Sequence, residues 1–545
     1  MKNKRCFCGL VLAVIFALVS LPVFAGGAKQ EESVAGQNVS GEAKYIFVII
    51  GDGTSIPQRT AAELYLASKN SPKDLGTAVA RAGGKFPSGN GVTDFTPSIE
   101  RMLMSGFPGQ GFSSTYSSNS LITDSSSSGT AIATGKKTRD GVVGMDPTAT
   151  ENYISMAKMA KAKGMKVGIV TTVSLDHATP ASFYASVPSR SQYYDIASQI
   201  PGTQFDYFAG GGFLSPTGPK KDQKDIVDVL KDSGYKVFNT REDFDKIKPG
   251  DNKIVTINPT LDYQMAIPYA VDQKPGDITL AEFVAKGIEV MDNPNGFFMM
   301  AECGKVDWSC HANDAVSAIM DVLTMDEATR VAYEFYLKHP QETLIIVTGD
   351  HETGGMTLGF AGTHYDSYLT RLHNQKGSYD AFDIEFLKLI AANPNARFED
   401  TLPLIESFFG LKRYAKAEID RLNAAAKAGD ANAFEALGMA LQDYEIEELQ
   451  KAFAIQPKDT DSNVRMQKIM ANMADPQYDI AYGYYSPFTV ALTHTLNHKA
   501  GISWTTFSHT GLPTPVSAIG VGYELFNGYY DNTDIFKKVV QVGGL

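Results

Sequence analysis

The sequence predicts an α/β protein: a three-layer α/β/α sandwich with a mainly parallel central sheet, carrying a helical insertion. Three observations predict it. From residue 44 onward, short β-branched runs alternate with helix-like stretches such as 153–163 and 280–291, the pattern of strands joined by crossover helices. Several apolar runs stop at, or close to, an Asp, Glu, His or hydroxyl residue. Between about 360 and 490 the strand signals nearly vanish, and Ala-rich, charged helical sequence takes over, as at 413–419 and 445–451.

The segments follow in order. Lys2, Lys4 and Arg5 precede an apolar run over 8–19 and the small-residue site Ala25-Gly26, which reads as a signal peptide over 1–25. Its apolar core is shorter than the roughly 18–20 residues of a spanning helix, so no stable membrane span is expected after processing and the mature chain is expected to be periplasmic or secreted. Residues 26–43 are polar and Gly-rich, a flexible lead-in. The catalytic domain is assigned to 44–358 plus 495–545, and the mainly helical insertion to 359–494, because residues with metal-ligating chemistry lie on both sides of it.

Composition narrows the partners. The 545 residues carry a formal charge of −12, 43% hydrophobic and 20% charged residues, an ordinary globular balance. Such an acidic chain argues against nucleic acid, which is bound through Lys and Arg clusters. Outside the leader the cysteines are Cys303 and Cys310, which either pair in an oxidising compartment or stay as buried thiols.

The polar residues at the strand ends carry the chemistry. The run 46–50 ends at Gly51-Asp52-Gly53, 167–170 leads to Asp176-His177-Ala178-Thr179, and 297–301 ends at Glu302 with Asp307 and His311 behind it. The run 344–348 ends at Gly349-Asp350-His351, and His509 lies near the end of the chain. Carboxyl ends of strands in an open α/β sheet share one edge, so these residues converge on one crevice and predict a multi-metal site. Asp307 and His311, four apart, share a helical face and suit one ion. Ser125-Ser126-Ser127-Ser128-Gly129 reads as a loop entering a helix, where free N–H groups accept a phosphate or sulfate and a serine can attack phosphorus. An N-cap serine in a Ser-rich turn is the competing reading, and position alone does not choose among the four. His339, His364, His373, His494 and His498 read as ordinary packing or surface residues.

Taken together, Gly51-Asp52-Gly53, Thr123-Asp124-Ser125 with Gly129-Thr130-Ala131 and Thr134-Gly135, His177-Ala178-Thr179-Pro180 with Ser189-Arg190, Glu302 through Asp307 to His311, Thr348 to Gly355, and His509-Thr510-Gly511 give a clear likeness. The chain resembles the alkaline phosphatases, across nearly its whole mature length. The resemblance implies hydrolysis of phosphate monoesters through a phosphoserine at Ser125, with Arg190 gripping two phosphate oxygens. It implies two Zn2+, one held by Asp307, His311 and His509, the other by Asp52, Asp350 and His351. One Mg2+ would sit with Asp52, Thr179 and Glu302, and His177 would stand beside or on that third site. Dimers are common in the family, so a homodimer is a further expectation. In the best-known bacterial pattern an Asp and a Lys stand where this chain has His177 and Trp308, a pair other members carry. Related activities on phosphodiesters or sulfate esters remain the alternative, and a non-catalytic periplasmic phosphate-binding protein a more distant one.

Overall fold

A computed structural model describes residues 41–70 and 101–545; the expected signal peptide and nearly all of the 26–43 lead-in lie outside the described residues. In chain order the strands are β1 (Tyr45–Gly51), β2 (Gly109–Ser114), β3 (Lys166–Thr171), β4 (Tyr207–Gly210), β5 (Lys236–Phe238), β6 (Ile254–Ile257), β7 (Phe297–Cys303) and β8 (Thr343–Gly349). Four two-residue strands follow, β9 (Glu352–Thr353), β10 (Thr357–Leu358), β11 (Ile502–Ser503) and β12 (His509–Thr510), then β13 (Thr514–Gly520) and β14 (Gly528–Asp531). Ten of them form one sheet in the order β14-β2-β13-β8-β1-β7-β3-β4-β6-β5. Every neighbouring pair is parallel except those made by β13, which runs antiparallel to β8 and β2. The fold is therefore the mainly parallel α/β class the sequence predicts.

Two groups of helices cover the sheet. Ile56–Asn70 and Leu280–Met291 each pack on Ala315–Tyr336, while Ser125–Thr134, Ala178–Tyr184, Met156–Ala162 and Asn532–Gly543 form a second group. The strand pleat sorts side chains between them. Tyr45, Phe47 and Ile49 of β1, with Phe297, Met299 and Ala301 of β7, join the core under the first group. Burial at both faces explains why these strands read as unbroken apolar runs, and each buried Phe, Ile or Met side chain among them contributes roughly 1.5–3 kcal/mol. Helix Leu280–Met291 begins at a capping box of Thr279 with Glu282. The expected helix over 153–163 is shorter, Met156–Ala162, because the Ser155 hydroxyl accepts from the Lys158 amide and caps it there.

Between Leu358 and Ile502 there are eight α-helices and no strand. Their buried aromatics, Phe382, Phe386, Phe398, Phe453 and Phe488, belong to the same core cluster as Phe47 and Ile345 of the sheet. The last helix, Pro487–Ala500, crosses the expected boundary at 494. It docks through Asn497, whose amide donates to the Asn313 carbonyl at 2.7 Å, and through the nearly buried Lys499–Glu445 pair at 2.8 Å.

Candidate active site

Strand register sets the first residues of the site. Gly51 of β1 lies opposite Cys303 of β7 and Gly349 of β8, so Asp52, Glu302 and Asp350 emerge side by side. All three are wholly buried. The pleat turns Glu302 away from the face of Met299 and Ala301 and toward the helices that carry Ser125 and Thr179; Thr171, its partner on β3, donates a hydrogen bond to it. Gly53 follows Asp52 with a φ of 70°, and a Cβ there would stand 2.7 Å from the Asp307 Cα. Only glycine allows that close approach.

His509 reaches the same edge by a different route. It does not end a sheet strand but sits on β12, paired with Thr353 of β9. The chain then enters β13, and because β13 is antiparallel to β8 its amino end lies beside the carboxyl end of β8, with Val516 opposite Thr348.

Helix Ser125–Thr134 begins at Asp124, whose carboxylate accepts from the Ser127 amide at 2.9 Å. The helix distinguishes the four serines. Ser126 donates to Asp124 at 2.6 Å, Ser127 bonds Asp124 and Asp140 at 2.8 and 2.9 Å, and Ser128 reaches Asp350 at 3.0 Å. Ser125 alone among them lines the cavity, its Oγ 3.2 Å from His351 Nε2. Arg190 lines the same cavity, Nη1 donating to Asp124 at 3.0 Å and Nη2 lying 3.4 Å from His177 Nε2.

Around Ser125 the donors fall into clusters. Asp307 Oδ1, His311 Nε2 and His509 Nε2 lie 3.1–3.5 Å apart in pairs. His311 Nδ1 donates to the Phe507 carbonyl at 2.6 Å and His509 Nδ1 to the Thr123 carbonyl at 2.7 Å. Carbonyls only accept, so both protons are fixed on Nδ1 and both Nε2 lone pairs face inward, as metal-ligating imidazoles require. Asp52, Asp350 and His351 form another cluster, His351 Nε2 standing 3.1 Å from Asp52 and 3.4 Å from Asp350. A third brings ligand atoms of Asp52, His177 and Glu302 within 4.8 Å of one another, and Thr179 Oγ1 lies 3.4 Å from Asp52. His351 also groups with Asp307 and His509, bridging the first two clusters.

The electrostatics fit cations. Burial first, then Asp350, Asp307 and Glu302, push the Asp52 carboxyl well above its usual range. Burial, with Asp350 beside it, lifts Glu302 to about 8. Glu302 Oε1 and His177 Nδ1 are buried without a hydrogen-bond partner, a costly arrangement unless a cation or proton meets them. Burial alone would raise Asp307, but His311 and His509 hold it well below the carboxylate range. Burial, and then the neighbouring Arg190, depress His177 to about 3, which leaves the ring neutral. Burial opposes the charge on Asp124, yet Arg190 and the Ser126 and Ser127 hydrogen bonds keep it anionic.

Several roles escape a reading of motifs. Asp124 both caps the serine helix and orients Arg190; its place just before the serine run is the signal. Glu352 is a buried anchor, accepting from Gln58 at 2.7 Å, from Thr510 and from the Gly355 amide at 3.2 Å, which ties the Asp350 loop to β12. Tyr484 comes from the insertion, its hydroxyl 3.1 Å from His311 Nδ1, and nothing local in the sequence marks it. Cys303 and Cys310 are buried free thiols, so the pairing alternative is not realised. His494 hydrogen-bonds Asn313 at 2.9 Å and His498 stacks on Phe360 at 3.9 Å, both packing roles.

A family model described as alkaline phosphatase matches residues 89–545. The chain belongs to the alkaline phosphatase family. It is therefore a phosphatase, one that hydrolyses phosphate monoesters with the help of metal ions. Alkaline phosphatase 4 of Bacillus subtilis is 26% identical over 555 aligned residues, covering 100% of this chain and 98% of that protein. The cold-active alkaline phosphatase of Shewanella sp. superposes at a TM-score of 0.65 with 23% identity, covering 92% of this chain and 99% of the other. A variant of the alkaline phosphatase from the Antarctic bacterium TAB5, with magnesium bound in its M3 site, superposes at 0.56 with 23% identity and the same coverage.

Proposed function

We propose that Ser125 is the nucleophile of this phosphatase and that Arg190 binds the phosphoryl group. The observation that carries the reading is the Ser125 Oγ, which lines the cavity 3.2 Å from Nε2 of His351, the imidazole that groups with both donor clusters. Ser125 Oγ forms a bond to phosphorus as the bond to the alcohol oxygen breaks, giving a phosphoserine; water then attacks that phosphorus and releases inorganic phosphate and Ser125. Arg190, held by Asp124, offers a planar pair of donors matched to two phosphate oxygens. Asp307, His311 and His509 have the donor set for one Zn2+, and Asp52, Asp350 and His351 for a second. Asp52, Thr179 and Glu302 supply the oxygen-rich set that suits Mg2+, the ion in the M3 site of the TAB5 variant, with His177 at its edge. Bound there, the ions would neutralise the charge that develops on the attacking and departing oxygens.

A secretory leader over 1–25 would carry this activity to the periplasm or beyond, and among the described residues no helix is long and apolar enough to cross a membrane. The homodimer rests on the family resemblance and is read directly by sedimentation. Turnover of a monoester against a diester by zinc- and magnesium-loaded protein tests the chemistry. Monoester turnover should dominate, vanish with EDTA and vanish in Ser125→Ala. Activity that survives either treatment sinks the mechanism, and a preference for the diester replaces the substrate class.

A further inference from the structure

The cavity above Ser125 is larger than a phosphoryl group requires. Its volume is about 440 Å³, within the roughly 300–1,000 Å³ of pockets that enclose a whole small molecule. Much of its wall is aromatic and has two sources. Trp308, on the helix Lys305–His311, and Tyr263, on the short 3-10 turn Tyr263–Met265, come from the sheet domain, their rings 6.3 Å apart at 66°. Tyr379, Tyr484 and Tyr485 come from the insertion, with Tyr484 and Tyr485 4.7 Å apart at 31° and Tyr379 5.8 Å from Tyr485.

Tyr263 is held there at a cost. The two residues after it, Gln264 and Met265, have φ of 52° and 59°, the left-handed region that side chains other than glycine disfavour. Asp262 fixes the turn by accepting from the Tyr263 amide at 2.6 Å and from Lys305 Nζ at 2.9 Å. Lys305 is itself fully buried, its ammonium 3.7 Å over the Tyr269 ring. A buried cation thus secures a turn with two left-handed residues, and the tyrosine that opens it lines the cavity while 56% exposed.

We propose that these rings form a pocket for the alcohol part of the substrate, selecting monoesters whose alcohol carries a planar ring system such as a nucleobase. The inference rests on phosphomonoester turnover at Ser125. In an in-line displacement the departing oxygen lies opposite the attacking one, so the alcohol points away from Ser125 into the rest of the cavity, which these rings help to line. Stacking on aromatic side chains is sequence-tolerant and corresponds to about 5- to 140-fold per base.

The test compares 5′-AMP with ribose 5-phosphate, both esters of the same primary alcohol and differing in the adenine. The kcat/KM ratio should favour AMP by about 5- to 140-fold, fall toward one in Tyr263→Ala and persist in Tyr263→Phe. Adenosine should inhibit ribose 5-phosphate turnover in the parent and do so more weakly in Tyr263→Ala. A ratio near one in the parent, or a ratio unchanged by Tyr263→Ala, overturns this inference alone. No turnover of either ester removes the reading of Ser125 and this pocket with it.

Discussion

At the carboxyl edge of the sheet Asp52, Glu302, Asp350 and His351 are fully buried, whereas Arg465 and Met466, which the insertion brings to the same cavity, are half-buried and exposed. The first set is positioned by strand backbone: the register of β1 with β7 and β8 leaves little freedom in where a following side chain starts. The second is positioned by a helix, Ser462–Asn472, whose buried residue is Ile469 alone. The buried acids and histidine therefore sit on the rigid part of the cavity, while the insertion lines it with more exposed side chains, the division expected when one scaffold serves many substrates.

That contrast can be broken at several points. The largest effect should come from Asp52→Asn, because Asp52 belongs to two donor clusters: kcat should drop at least about 100-fold, with bound metal measured by elemental analysis dropping too. Full metal content in that variant would show the clusters to be something other than ligand sets. Arg190→Lys keeps the charge and loses the fork, so kcat/KM should decrease about 10- to 150-fold, the equivalent of about 1.5–3 kcal/mol for charge-assisted hydrogen bonds.

Stability of the metal-stripped enzyme should show the strain of the buried acids. Glu302 titrates at about 8 in the folded chain against 4.5 ordinarily, so between those values the folded state binds more protons than the unfolded one. Its contribution is fully present below about pH 4.5 and is lost as pH rises through about 8. The Tm of EDTA-treated protein should therefore fall across that window, and excess zinc should restore it. Glu302→Gln should flatten the slope; an identical slope in the variant would assign it elsewhere. The smallest effect belongs to the insertion surface. Lys468 pairs with Asp459 at 2.8 Å, the side chains 57% and 27% exposed, so Lys468→Ala should change stability by no more than about 0.5 kcal/mol and leave kcat within error.

Much of the site was legible because strand-end acids are local features. A five-residue apolar run closing on Gly-Asp-Gly announces both β1 and the residue beyond it, and Asp307 with His311 announces a helical face. Other elements gave weaker signals. The sequence of β2, Gly-Gln-Gly-Phe-Ser-Ser, has little apolar content and becomes a strand because β13 and β14 pair with it on either side. The expected helix over 413–419 starts later, at Lys416, since residue 412 is drawn into a bridge with Ala440.

By itself the sequence determined the α/β class, the strands that end in buried acids and the helical character of 359–494, since each depends on periodicity and on residues adjacent in the chain. Position in the chain left the four serines alike, and only the motif resemblance pointed to Ser125; tertiary structure gives the physical distinction, because hydroxyls one residue apart differ only in the partners that surround them. It also decided that His509 arrives through an antiparallel strand, that Cys303 and Cys310 stay apart, and that Tyr484 meets His311 across 173 residues. Those outcomes depend on the direction in which distant segments are packed, and no local pattern of side chains encodes it.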